Sequence, residues 1–184
     1  MSEMFADCDY LSEIDLSNFD TSSVKNMSYM FYDVNSEIIN VSNFKTSLVE
    51  DMSFMFAKDP YYSPKKEQKI IGLTNFDTSK VTKMIDMFDY CSSEIDVSNF
   101  DTSSVKDMSG MFYGVNSTII NVTNFKTSSV EDMSYMFAKD EDVLKKNNEY
   151  IKKYINYLKE EGKHPEEIPI FSKQEIIGLT NFDT

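Results

Sequence analysis

The chain has 184 residues and a net charge of −13. That charge argues against general binding to nucleic acid or to an anionic membrane, where basic patches supply the affinity. Apolar residues make up 41%, so the composition is not that of a disordered chain, and no apolar run approaches the length of a membrane span. Tryptophan is absent, whereas methionine (12) and phenylalanine (14) are abundant, and these two must fill much of the core.

Residues 1–16, MSEMFADCDYLSEIDL, lack a basic n-region and an apolar h-region, so this segment reads as having no signal peptide. The stretch FDTSSVKNMSYMF begins at Phe19, and FDTSSVKDMSGMF begins at Phe100, 81 positions later. The phenylalanine of NF(D/K)TS recurs at Phe19, Phe44, Phe76, Phe100, Phe125 and Phe182, with spacings of 25, 32, 24, 25 and 57. The unit is therefore about 25 residues, and such self-similarity marks a repeat architecture. Three coils form a block that is duplicated, 1–75 and 76–184. The chain starts and stops inside a unit, with no capping sequence, which predicts a segment of a longer array.

Within a unit such as FKTSLVEDMSFMFAKD, Val49, Met52, Met55 and Phe56 lie on one stripe of a helix. Ser47-x-x-Glu50 and Ser128-x-x-Glu131 fit capping boxes, and the threonines of the TS pairs stand where N-caps would. Asp20, Asp77 and Asp101 stand where a helix dipole would favour them. In SEIDLSNF, Ile14, Leu16 and Phe19 alternate with Glu13, Asp15 and Ser17, which predicts a short strand. The expected fold is an α/β repeat: one right-handed, leucine-rich-repeat-like solenoid of about six coils, each with one short parallel strand and one helix.

LSEIDLSNFDTSSVKNMSYMFYDV resembles the BspA-like leucine-rich-repeat surface proteins, also known as the mycoplasma-type surface lipoprotein repeat family. Leu11-x-x-Ile14-x-Leu16 is similar to that family's strand, and NFDTSxVxxMxxMF to its most recognisable phrase. The resemblance covers the chain outside two insertions. It implies a cell-surface or secreted repeat protein, tethered and adhesin-like, that binds a host or matrix protein or a neighbouring surface protein. The lipid-attachment cysteine of such proteins is not seen in this segment.

Stacked coils turn sequence positions into columns. One outward strand column reads Glu13, Ile38, Ile70, Glu94, Ile119, Ile176; the next reads Asp15, Asn40, Gly72, Asp96, Asn121, Gly178. Ile38, Asn40, Ile119 and Asn121 are accordingly candidate partner-binding residues, set against a plain solvated sheet face. An asparagine column (Asn18, Asn43, Asn75, Asn99, Asn124, Asn181) is expected to hydrogen-bond adjacent turns as an internal ladder. Cys8 and Cys91 occupy the same unit position three coils apart, too far for a disulfide; Val34 and Val115 stand there in other coils, which marks an apolar packing site.

The insertions span 59–69 and 140–175. The second, EDVLKKNNEYIKKYINYLKEEGK, has apolar residues at helical spacing and predicts a helix of about 20 residues. Tyr61 and Tyr62 in the first, and Tyr150, Tyr154 and Tyr157 in the second, are further candidate partner-binding residues, since tyrosine is enriched in interface hot spots. The one histidine, His164, has no second ligand nearby, and neither a phosphate loop nor a nucleophile motif occurs. The reading is a non-enzymatic protein-binding segment without cofactor or metal. An intracellular interaction scaffold and a spacer presenting another domain are its rivals. Open ends of the stack make end-to-end self-association an added expectation.

Overall fold

The computed structural model describes residues 1–8, 11, 14–59, 68–115, 117 and 119–138, together with the backbone of Glu175–Ile177. The repeat units stack, but the expected helix of each unit does not form. Among the described residues there is no α-helix. Among these residues regular structure is confined to four strands of three residues and one 3-10 helix, Leu73–Asn75. Strand β1 (Ile38–Asn40) pairs in parallel with β2 (Lys69–Ile71), and β3 (Ile119–Asn121) with β4 (Glu175–Ile177). Single parallel bridges run Asn26–Asp51–Lys83–Asp107–Asp132. This overturns an α/β solenoid with a helix in every coil.

The backbone hydrogen bonds explain the difference. In a helix every N–H would turn back to the carbonyl four residues earlier. Here Met27, Tyr29, Phe31 and Asp33 donate instead to Asp51, Ser53, Met55 and Ala57 of the next unit, at 2.8–3.0 Å. The alternate residues Met30, Tyr32 and Val34 close turns onto carbonyls three residues back. Met52, Phe54, Phe56 and Lys58 repeat the pattern onto the following unit, as do Met84, Asp86, Phe88 and Tyr90. Tyr29 and Asp33 sit at φ of 57° and 51°, a left-handed conformation that a right-handed helix cannot contain.

The apolar spacing has the same outcome by another route. Met27, Met30, Phe31 and Val34 are fully buried, as are Val49, Met52, Met55 and Phe56. Consecutive turns with alternating hands return side chains to the core at i, i+3, i+4 and i+7, as a helix would. The phenylalanines then stack along the axis: Phe5, Phe31, Phe56, Phe88, Phe112 and Phe137, with successive centroids 5.4–5.7 Å apart and rings within 9° of parallel. Such offset stacks contribute beyond the area they bury.

The conserved-looking polar letters of the unit have structural work other than capping helices. The buried hydroxyls of Thr21, Thr46, Thr78 and Thr102 each accept an N–H from, and donate to the carbonyl of, one residue of the next unit: Lys45, Asp77, Asp101 and Lys126. Asp20, Asp77 and Asp101 accept the N–H two residues on, from Ser22, Ser79 and Ser103, and so fix turns. The capping boxes do not form either: Glu50 pairs with Lys25 at 3.0 Å and Glu131 with Lys106 at 3.2 Å, all exposed. The asparagine column does bond the preceding unit, with Asn75 Nδ2 donating to the Ser42 carbonyl and Asn99 Nδ2 to that of Phe76, both at 3.0 Å. Its described members (Asn18, Asn43, Asn75, Asn99 and Asn124) run at the surface, however, not inside.

The strand columns need a one-residue correction. Ile70 faces Ile39, not Ile38, and is buried. The slip is absorbed at Gly72 (φ 98°), which inserts one residue between β2 and Leu73. The residue opposite Ile38 is Lys69, and Glu175 stands opposite Ile119 in the same register. Cys91 is buried, Cys8 half-buried, and both are free thiols at the packing position that Val34 and Val115 fill elsewhere.

Candidate functional site

The sequence-predicted strand site is only partly assembled. Ile38 is 46% exposed, but Lys69 and Glu175 interrupt the isoleucine column on either block. The polar column is committed to its own backbone. Asn40 Oδ1 accepts the Ser42 N–H and hydroxyl at 3.1 and 2.6 Å, and Asn121 Oδ1 does the same for Thr123 at 3.1 and 2.7 Å. Tyr61, Tyr62, Tyr150, Tyr154 and Tyr157 lie outside the described residues, as does the expected helix of the second insertion. The described end of the first insertion is anchored by Gln68, whose Nε2 donates to the carbonyls of Val34 and Ser36.

A different surface arises from the turn run. In each M-x-x-M-F segment the residue before the second methionine is left-handed: Glu3, Tyr29, Phe54, Asp86, Gly110 and Tyr135, at φ of 49–60°. Their N–H groups (Glu3 to Ser28, Tyr29 to Ser53, Phe54 to Ile85, Asp86 to Ser109, Gly110 to Ser134) join neighbouring units, so the six form one column. The rings of Tyr29 and Phe54 stack at 4.4 Å and 9°. Tyr32 leans on Tyr29 at 5.5 Å, Tyr90 and Tyr113 meet edge to face at 5.5 Å, and Tyr135 is 68% exposed. Asp86 bends over Gly110, and the Tyr90 ring lies over Gly114.

Carboxylates surround these rings. The Tyr29 phenol is raised above its ordinary pKa by burial and by the field of Asp86, Glu3 and Asp51. Tyr32 is raised by burial and then by Asp59, Asp33, Asp7 and Asp89. Burial, with Asp107 beside it, pushes Asp86 up to about 6; burial, with Asp86 beside it, pushes Asp89 up to about 8. Among the described residues the side-chain ion pairs are Lys25–Glu50, Lys106–Glu131 and Lys126–Asp101, so neither Asp86 nor Asp89 has a cationic partner. No described group of three or more His, Cys, Asp or Glu could hold a metal ion. No described helix could cross a membrane.

This aromatic column was missed in the sequence, although a signal was present. The letter before the second methionine changes among Glu, Tyr, Phe, Asp and Gly while the methionines and the phenylalanine around it recur in every unit. Glycine and aspartate at one position mark a left-handed residue, and that alone breaks the helix reading.

Stacked units joined by backbone ladders define a repeat protein. Residues 1–67 and 61–159 match the family described as Mycoplasma protein of unknown function, DUF285, and the chain belongs to it. No curated protein and no solved structure matches the chain.

Proposed function

We propose that this chain is a non-enzymatic, protein-binding repeat segment of a cell-surface, adhesin-like protein, and that the turn-run column is its contact face. One observation carries the reading. The fold asks only for a left-handed residue at each column position, which Gly110 and Asp86 meet with little strain. Tyr29, Phe54 and Tyr135 take the same conformation with bulky rings, each at a cost on the order of 1 kcal/mol, and none of the three rings is in the buried core. Strained, accessible aromatics are what a recognition surface requires and what a folding requirement alone does not select. Kinship with the BspA-like surface proteins, suggested by the repeated NFDTSxVxxMxxMF phrase, is the finer part of this proposal and supports the surface location. The units serve as a rigid frame, while the partner is a host or matrix protein or a neighbouring surface protein.

The test is a solid-phase binding assay of the full chain on purified extracellular-matrix proteins. Tyr29→Gly/Phe54→Gly/Tyr135→Gly is the matched variant. Saturable binding that the variant loses supports the proposal. Binding that the variant retains, or none to any matrix protein, removes it.

A further inference from the structure

Resting on that reading, we infer that the column takes an arginine side chain of the partner, stacked on the open face of Phe54 and paired with Asp86. One face of the Phe54 ring is covered by Tyr29, with centroids 4.4 Å apart and planes 9° from parallel. The stacking vector therefore runs along the ladder, and the second face of Phe54 looks toward the next unit, where Asp86 stands. No described ring covers that face. The Asp86 carboxylate bends the other way, over Gly110, which has no side chain to block it. Adjacent units of a parallel ladder are about 4.8 Å apart, and a planar cation stacks about 3.5 Å from a ring. A guanidinium on Phe54 would thus lie nearly level with the Asp86 backbone, and the carboxylate would swing back from over Gly110 to meet its N–H edge.

Charge points to the same ligand. Asp86 acts on the Tyr29 phenol, while Asp89, Asp59, Asp33 and Asp7 act on Tyr32. The rings are therefore set in a negative field, and ring faces attract cations. Asp86 is half-buried and enters no ion pair among the described residues, so a cation there would gain a carboxylate that no described lysine neutralises. Arginine fits better than lysine because its flat guanidinium can stack and donate a fork of hydrogen bonds at once, whereas an ammonium is a strongly hydrated point charge. A free phosphate or an acidic segment is excluded by the same field.

The experiment is a titration of the full chain with labelled hexa-arginine and, separately, hexa-lysine at near-physiological salt. Wild type is compared with Phe54→Gly, which leaves net charge unchanged, and with Asp86→Asn. Hexa-arginine is expected to bind roughly tenfold tighter than hexa-lysine, and each variant is expected to erase most of that advantage. Each variant is first shown to unfold in one cooperative transition at least as late as wild type, since glycine and asparagine both tolerate the left-handed backbone. Equal affinity for the two peptides, or an arginine preference that survives Phe54→Gly, marks a bulk charge effect and overturns the inference. Should the matrix-protein binding depend on the column while neither peptide binds, the arginine assignment falls and the protein-binding reading stands. Should the column variants change nothing in either assay, both fall.

Discussion

The carboxylate of Asp86 occupies the space that a β-carbon on Gly110 would need. The side chain of one unit thus depends on the absence of a side chain in the next. Gly110 is also left-handed, at φ 60°. Gly110→Ala should therefore cost about 1–2 kcal/mol for the backbone, with the carboxylate rotating aside. Gly72 is a harsher case: at φ 98°, its β-carbon would stand 2.5 Å from the backbone Cα and N of Ser42, which cannot rotate away. Gly72→Ala should cost more, about 3 kcal/mol or above. Urea unfolding of the two variants decides the order, and a smaller loss at Gly72 would contradict the register slip assigned to it.

The threonine ladder makes a separate prediction. Thr78 Oγ1 donates to the Asp101 carbonyl at 3.0 Å and accepts the Asp101 N–H at 2.8 Å, in a site almost closed to solvent. Thr78→Val keeps the shape but leaves both backbone groups without a partner, which should cost about 2–3 kcal/mol. Thr78→Ser keeps both bonds and should cost under about 1 kcal/mol. Equal losses in denaturant midpoint would mean that the hydroxyl serves nothing between units.

Much of the unit was legible because repetition and burial are written at fixed intervals. Val49, Met52, Met55 and Phe56 were read as inward from spacing alone, and all four are fully buried. What spacing could not distinguish was the backbone that delivers them. A helix and a series of turns of alternating hand return side chains at the same intervals. Only the left-handed residues separate the two, and tyrosine at position 29 gives no hint of φ 57°. The strand face failed for a different reason. Counting back from Phe76 places Ile70 outward, but Gly72 consumes one residue, and with a side-chain period of two that slip reverses inside and outside. Asn40 and Asn121 looked available because a sequence lists donors and acceptors without saying that Ser42 and Thr123 already engage them.

Tyr135 and Phe112 test the division between contact face and core. Tyr135 is 68% exposed at φ 57°. Replacing it by glycine removes a left-handed penalty of about 1–2 kcal/mol and adds about 0.5–1 kcal/mol of unfolded-chain entropy. Tyr135→Gly should thus raise stability by about 0.5–1 kcal/mol, an unusual sign for loss of an aromatic. Phe112 is buried between Phe88 and Phe137, with centroids at 5.7 and 5.4 Å, and Phe112→Ala should cost about 3–5 kcal/mol. Thermal unfolding of the pair checks both signs; destabilisation by Tyr135→Gly would place that ring among the structural ones.

Stability should fall between pH 4 and pH 8, against the usual trend for an acidic protein. Asp86 and Asp89 are pushed up to about 6 and about 8, chiefly by burial, from 3.8. The folded chain therefore holds protons that the unfolded chain has already released across this interval. The unfolded state is then favoured progressively as pH rises, until both groups are ionised in the fold as well. The opposite set acts lower. Asp77, Asp96 and Asp101 are held below the ordinary range by the hydroxyls and N–H groups of Ser79, Ser98 and Ser103. Their contribution is complete above 3.8 and is lost as pH drops through their folded values. The two sets together place the maximum near pH 4–5. Asp89→Asn removes the larger upper term, so its denaturant midpoint should change little between pH 6 and 8 and exceed that of wild type at pH 8. Midpoints at pH 5, 6.5 and 8 for both proteins decide the matter. A wild-type midpoint that rises with pH, or an Asp89→Asn midpoint that tracks it, would show that these carboxylates are not held protonated by the fold.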